Sequence, residues 1–304
     1  MPSENYPAYD RLGLAAAFVA PVGWGLTGIF VRLLSSLPPL AIVVGRLLVA
    51  AAALGILLLI RRPSRVKPQW SLPALAMAGY YILATEAFAR AAVVEVTLLI
   101  GMAPVLALGI ERLQGRRVPL QRLVGVVLAL GGLIGFLAAD EIRINAKLSG
   151  DMLALGAAAA SAMYATRLRE LARTNSAPDP THVAGVACVV GALAGAMLAS
   201  ILGSLTVQAL TPRDARTLLL LGALSTAIPT LAYSVASIRL PAVLTTSLGL
   251  ATPLFAAVFA GTVLGEWPAL SALPGALTAL AGLALVVRSG DPTRDSQLHL
   301  GARS

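Results

Sequence analysis

The sequence is poor in charge, cysteine and histidine. Only 12% of its 304 residues are charged, against about 25% in soluble domains. The single cysteine, Cys188, excludes an internal disulfide, and the two histidines, His182 and His299, lie too far apart in sequence to form a metal cluster by themselves. No GxxxxGK[ST] loop is present, so the chain carries no signature of ATP hydrolysis. We therefore predict neither a metal site nor a cofactor.

Apolar residues take the place of the missing charge. Hydrophobic residues make up 58% of the chain, and the mean hydropathy is +0.83. A soluble fold has too little interior to bury this much Leu, Ala and Val, because most of its surface must meet water. The composition therefore predicts a multi-pass integral membrane protein.

The apolar residues fall into long runs that favour helices. A helix needs about 20 apolar residues to cross the hydrocarbon core, and runs such as LLVAAAALGILLLI are apolar on every face rather than alternating as in a membrane β-barrel. The first run has no persuasive cleavage site and is interpreted as a retained span. We predict an all-α protein with ten transmembrane helices, at 12–34, 40–60, 72–90, 93–111, 122–139, 150–168, 182–204, 217–237, 241–263 and 269–288.

The distribution of basic residues predicts the orientation. The chain has 23 Lys and Arg against 14 Asp and Glu, a net charge of +9. With ten spans, most of these basic residues fall on the side that holds both termini, and the positive-inside rule places that side in the cytoplasm. The basic charge is thus a topology signal, and we predict no nucleic-acid partner.

The chain repeats itself at a distance of half its length. GRRVPLQRLVG (115–125) shares its Gly and Leu positions with GEWPALSALPG (265–275), and RAAVVEVTLLIGMAP (90–104) is similar to RLPAVLTTSLGLATP (239–253). We predict two five-helix repeats, 12–139 and 150–288, between cytoplasmic tails 1–11 and 289–304. An odd number of spans inverts the second repeat, an arrangement typical of alternating access. The alternative is a duplicated scaffold without transport.

Several short motifs, in order along the chain, resemble a known family. They are Trp24-Gly25, Pro38-Pro39, Arg46, Ala103-Pro104, Gly150-Asp151, Thr252-Pro253 and Gly265-Glu266. The chain resembles the EamA-type transporters of the drug/metabolite transporter superfamily, and within it the bacterial aromatic amino-acid exporters. It departs from the family at Arg116, where a Gly-Glu pair is usual. The resemblance implies ten helices in two halves, location in the bacterial inner membrane, and export of small organic metabolites, in particular amino acids.

Aromatic residues near the middle of several spans are the candidate substrate contacts. Trp24 lies too deep in the first span for the interfacial aromatic belt. A tyrosine hydroxyl in hydrocarbon needs a partner, so these rings should face other helices or water. We predict that Trp24 and the tyrosines line a central cavity with flexible methionines beside them. The alternative for each is simple packing. The tyrosines and methionines are Tyr80, Tyr81, Tyr164, Tyr233, Met102 and Met163.

Prolines inside spans are candidate sites of helix distortion. Each removes one backbone donor and disturbs the bond to the carbonyl four residues earlier. Pro21 lies in the first span, and Pro104 and Pro253 occupy matching places in the two repeats. We expect the latter two to leave the carbonyls of Ile100 and Gly249 as acceptors for a substrate or water; the alternative is a simple kink.

Charged residues at membrane depth are candidate gating or binding residues. Intramembrane charges need partners, and the positions of Arg46 and Glu86 predict an ion pair in the outer half of the membrane. Alternatively, Glu86 contacts a substrate amine or relays a proton. Arg90 and Arg239, near span ends, are predicted to act at the gates.

Together these features predict a secondary transporter that exports amino acids, aromatic or otherwise apolar, by alternating access. Its partners are the small-molecule substrate and the lipid bilayer, and it is a monomer or weak homodimer. The alternatives are an intramembrane enzyme and a drug- or nucleotide-type metabolite carrier of the same fold. An enzyme needs clustered reactive side chains, and the nearest group, Asp140, Glu141 and Asp151, is interpreted as a solvated loop.

Overall fold

The fold consists of helices joined by short connections. The computed structural model describes residues 10–61, 70–90, 93–116, 118–138, 148–174, 178–203, 210–265 and 267–289. The α-helices are α1 (Arg11–Gly25), α2 (Thr27–Leu33), α3 (Pro39–Arg61), α4 (Ser71–Arg90), α5 (Val93–Ile100), α6 (Ala103–Leu113), α7 (Leu120–Ala138), α8 (Leu148–Arg173), α9 (Pro180–Ile201), α10 (Pro212–Gly222), α11 (Ile228–Arg239), α12 (Ala242–Leu248), α13 (Thr252–Leu264) and α14 (Leu273–Arg288). A π-helical turn, Ala223–Ala227, joins α10 to α11, and 3₁₀ turns occupy Gly249–Ala251 and Leu270–Ala272.

The prediction of membrane-spanning helices is confirmed, with a difference in number. Eight segments of the described chain are long and apolar enough to span a bilayer. The third and sixth predicted spans fall on α4 and α8, helices of 20 and 26 residues, and neither helix is among those eight. Both pack chiefly against other helices, α4 on α8 and α9, and α8 also on α5, α6, α11 and α12. Interior helices need fewer apolar side chains because they meet less lipid.

Large apolar side chains cover the outside of the bundle. Leu59 is 79% exposed, Leu193 66% and Leu277 65%. Such exposure is costly in water but ordinary against hydrocarbon. Cys188, by contrast, is buried, and its thiol is free.

Several helices are interrupted at membrane depth. The first predicted span divides at Leu26, five residues beyond Pro21, and α1 continues through the proline itself. The fourth predicted span divides between Ile100 and Ala103, and the ninth at the Gly249–Ala251 turn. The last two breaks immediately precede Pro104 and Pro253, so the matching prolines produce matching interruptions.

Glycines allow a close contact between α7 and α14. A Cβ atom on Gly132 would lie 2.2 Å from the backbone N of Ala279, and one on Gly282 would lie 2.3 Å from that of Ala129. Gly275 packs on Phe136 in the same way. Gly132 of α7 and Gly275 and Gly282 of α14 therefore lie in the contact between these two helices.

Candidate functional site

Five aromatic side chains from four helices meet inside the bundle, and we call them the aromatic group: Trp24, Tyr80, Tyr81, Tyr164 and Tyr233. The ring centroids of Trp24 and Tyr233 are 5.2 Å apart, and those of Trp24 and Tyr80 are 6.2 Å apart. Tyr80 meets Tyr81 edge-on at 5.5 Å, and Tyr164 stacks on Tyr233 at 5.8 Å. These distances fall in the range of favourable aromatic pairs. The structure thus brings together all five rings that the sequence singled out.

Hydroxyl groups on neighbouring helices satisfy three of the tyrosines. The Tyr81 hydroxyl lies 2.6 Å from Thr230 Oγ1, and the Tyr164 hydroxyl lies 2.5 Å from Ser234 Oγ. Tyr233 reaches Ser161 Oγ at 3.0 Å. The expectation that the phenols face other helices is correct for these residues, and α11 supplies two of the partners.

The aromatic group is buried unevenly. Tyr81, Tyr164 and Tyr233 are at most 4% exposed, whereas Trp24 and Tyr80 are only half-buried. The Trp24 indole N–H points to the Tyr81 hydroxyl at a long distance of 3.4 Å. Trp24 and Tyr80 are therefore the members of the group that are not fully buried.

Arg46 adjoins the aromatic group from α3. Its guanidinium carbon lies 5.5 Å from the centroid of the Tyr81 ring, a cation–π distance. Nε donates to Thr226 Oγ1 and Nη2 donates to the carbonyl of Ser225, both at 2.8 Å. The side chain is only 8% exposed. A cation is thus held in the interior by neutral groups of the π-helical turn.

Pro229 explains why the π-helical turn accepts hydrogen bonds from a side chain. In an α-helix the carbonyl of Ser225 would accept from the N–H of residue 229, and proline has none. The turn widens there, and the Thr226 hydroxyl donates to the carbonyl of Leu221, five residues earlier in the chain. Arg46 supplies the donor that the proline lacks.

Glu86 pairs with a different residue from the one predicted. Its Oε2 lies 2.8 Å from Nη2 of Arg90, one helical turn further along α4. The predicted ion pair between Glu86 and Arg46 is wrong, because the π-helical turn engages Arg46 on one side and the i, i+4 geometry of α4 gives Glu86 a nearer partner.

The matching prolines do not leave both expected acceptors free. The backbone N–H of Thr252 bonds the carbonyl of Gly249, because the 3₁₀ turn shifts the pairing from four residues to three. The prediction of a free acceptor at Gly249 is therefore wrong. Met102 lies half-buried in the break before Pro104, and Met163 packs half-buried beside the aromatic group on the main core.

Polar contacts tie together helix ends far from Arg46. Arg239, at the end of α11, pairs with Asp10 at the start of α1 at 2.5 Å. Arg169 of α8 donates to the carbonyls of Ile238 and Arg239 at 3.0 and 2.8 Å. The bond to Arg239 holds the pKa of the Asp10 carboxyl below its ordinary value.

Sequence reasoning missed the hydroxyl-bearing side of the site. Ser225, Thr226, Thr230 and Ser234 are fully buried, and all lie near Pro229 in the sequence STAIPTLAYS. A proline flanked by hydroxyl residues in the middle of a span was the available signal, since both features supply hydrogen-bonding groups where lipid supplies none.

Long apolar helices around a buried aromatic and hydroxyl-rich site define a multi-pass membrane protein with an interior polar site. The chain belongs to the EamA-like transporter family, whose family model matches residues 11–138 and again 148–288. It is 30% identical over 295 residues to the uncharacterized transporter YwfM of Bacillus subtilis (strain 168), covering 94% of this chain and 95% of that protein. A crystal structure with 18% identity superimposes with a TM-score of 0.76, over 90% of this chain and 96% of its own, and shows the shared fold. The chain is thus a membrane transporter, and the alternative of an intramembrane enzyme gains no support from these relatives.

Proposed function

We propose that the protein exports amino acids with aromatic or other apolar side chains from the cytoplasm across the bacterial inner membrane. The observation that carries this proposal is the contact of Trp24 with Tyr80 and Tyr233, at 6.2 and 5.2 Å. An aromatic solute stacks favourably on such rings, and the half-buried faces of Trp24 and Tyr80 offer it a surface.

The position of the aromatic group supports alternating access. Trp24, Tyr80 and Tyr81 belong to the first predicted repeat, and Tyr164 and Tyr233 to the second. A site shared by two halves is exposed to one side of the membrane and then the other when the halves rock.

The packing of the helices supports an inverted repeat with ten spans. In the predicted order of spans, α1 and α8 begin the two repeats, and α4 and α11 belong to the third span of each. The structure packs α1 on α11 and α4 on α8, the two combinations that a two-fold axis would exchange. The breaks before Pro104 and Pro253 also correspond, and the family model matches each half separately.

Flux measurements in proteoliposomes test the proposal. Vesicles with purified protein and labelled phenylalanine, tyrosine, leucine and alanine should show protein-dependent flux that is greatest for the aromatic solutes. Repeating the assay with and without a pH gradient tests coupling to protons. Flux of a nucleotide or cationic drug without flux of any amino acid would favour the alternative carrier of the same fold and overturn this substrate class.

A further inference from the structure

We propose that Arg46 binds the carboxylate of the transported solute, an inference that rests on the proposed function and assigns one chemical group of the substrate to one residue. Arginine stays protonated in proteins, so its charge persists although the side chain is 8% exposed. The sequence alone indicated only a structural or gating role for this residue.

Arg46 carries a charge that no neighbouring carboxylate of the described residues balances. In the part of the chain that the structure describes, both hydrogen-bond acceptors of Arg46 are neutral, and no carboxylate lies within ion-pair distance of it. A buried charge is costly unless an opposite charge accompanies it. A solute with a carboxylate brings that opposite charge, and the solute leaves with it at the end of the transport cycle.

One edge of the Arg46 guanidinium is free among the described residues. A guanidinium has five N–H groups, and the contacts to Thr226 and Ser225 occupy Nε and Nη2, which form one edge. The edge formed by Nη1 and the second N–H of Nη2 has no partner among the described residues. Two parallel N–H groups on such an edge match the two oxygens of a carboxylate.

Ser225, whose carbonyl holds Arg46, also carries an unused hydroxyl. Ser225 Oγ is fully buried and has no hydrogen-bond partner within the described ranges. Its own residue supplies the carbonyl that holds Arg46. Buried hydroxyls are almost always paired, and a carboxylate oxygen bound at Arg46 is an acceptor for this one.

The surroundings select the class of solute. Arg46 lies over the Tyr81 ring, and Tyr81 contacts Trp24 and Tyr80. A solute that places an apolar ring on Trp24 and Tyr80 therefore has its charged end near Arg46. One buried positive charge balances one carboxylate, whereas a phosphate monoester would bring a second negative charge that Arg46 cannot balance. The ammonium of an amino acid can lie against the rings of the aromatic group, where a cation–π contact stabilises it.

The test compares two solutes that differ only at the carboxylate, L-phenylalanine and L-phenylalaninamide. In proteoliposomes, wild-type protein should prefer phenylalanine. Arg46→Gln should reduce phenylalanine flux roughly 10- to 100-fold, the range for one lost charged hydrogen bond, and change phenylalaninamide flux less than about threefold. The phenylalanine flux of Arg46→Lys should lie between those of the wild type and Arg46→Gln. Arg213→Gln, an exposed arginine at the start of α10, is the matched control and should leave both fluxes unchanged.

Competition on the wild-type protein provides a measurement that does not depend on the folding of a variant. Excess 3-phenylpropionate, which keeps the carboxylate, should inhibit phenylalanine flux, and excess phenethylamine, which lacks it, should not. Inhibition by the amine alone would overturn the role of a carboxylate.

The remaining outcomes separate the two proposals. An equal fall of both fluxes in Arg46→Gln means that Arg46 only supports the π-helical turn, and an unchanged preference for phenylalanine means that the carboxylate binds elsewhere. Either result overturns the role of Arg46 and leaves the proposed function intact. Absence of any amino-acid flux by wild-type protein overturns the proposed function, and the role of Arg46 with it.

Discussion

Arg46 donates a hydrogen bond of 2.8 Å to the backbone carbonyl of Ser225, 179 residues away in sequence. The contact joins the second predicted span to the eighth, and hence the two halves of the chain. It exists because Pro229 has no N–H for that carbonyl. An arginine of the first predicted repeat thus supplies the hydrogen-bond donor that the second predicted repeat lacks at Pro229.

Loss of the second acceptor of Arg46 should destabilise the protein. Thr226→Val keeps the shape of the side chain but leaves Nε of Arg46 buried without its partner at 2.8 Å. We expect a loss of about 1–3 kcal/mol in unfolding free energy, measured by thermal unfolding in detergent. Thr217→Val is the control, because the Thr217 hydroxyl bonds only the carbonyl of Arg213 on its own helix. An equal effect of both substitutions would contradict the interpretation.

Adjacent glycines on α7 should respond in opposite ways to a methyl group. Gly132→Ala places a Cβ 2.2 Å from the backbone of Ala279, and the two helices must separate. We expect a destabilisation of about 1–3 kcal/mol from overpacking. Gly131→Ala meets no atom within 4 Å and should be neutral or stabilise by up to about 1 kcal/mol, the helix propensity difference. Melting temperatures that fall equally for both variants would contradict this packing.

The contact between Asp10 and Arg239 should contribute stability only above acidic pH. Because Arg239 lowers the pKa of Asp10 in the folded state, the contribution is complete above the unfolded pKa of about 3.9 and decreases as the pH falls below it. Asp10→Asn keeps the helix cap on Leu12 but removes the charge. Both partners are partly exposed, so the gap between wild type and variant should be at most about 1 kcal/mol at neutral pH. Thermal unfolding from pH 7 to pH 3 should show that gap narrowing below about pH 4, and a gap that widens there would contradict the assignment.

The sequence predicted the helices better than it predicted the contacts of charged residues. Long apolar runs indicate spans directly, and mid-membrane phenols indicate helix contacts because their hydroxyls need partners. The aromatic group follows from these two signals. The pairing of the rings within the aromatic group does not follow from these signals. Which ring stacks on which depends on how α4, α8 and α11 cross.

The errors concern partners chosen by local geometry. Depth alone pairs Glu86 with Arg46, but Arg90 lies one turn away from Glu86 on the same helix. Pro253 alone predicts a free carbonyl at Gly249, but in the 3₁₀ turn this carbonyl accepts from the N–H of Thr252. Depth along a span is readable from sequence, whereas the azimuth of a side chain and the pitch of a distorted turn depend on packing.

Removal of the Trp24 ring should impair transport without unfolding the protein. Trp24 contacts Tyr80 and Tyr233 and keeps a half-buried face, so Trp24→Ala removes a stacking surface from the proposed site. We expect phenylalanine flux in proteoliposomes to fall roughly 3- to 10-fold, the equivalent of one aromatic pair, and Trp24→Phe to recover most of it. Phe18→Ala is the control on the same helix, since Phe18 is 45% exposed on the outside of the bundle. Because lipid replaces the contacts that the Phe18 ring makes, phenylalanine flux in Phe18→Ala should stay at the wild-type level. Equal flux in Trp24→Ala and Phe18→Ala would mean that the Trp24 ring only fills space between α1, α4 and α11, and the solute would then have to bind elsewhere.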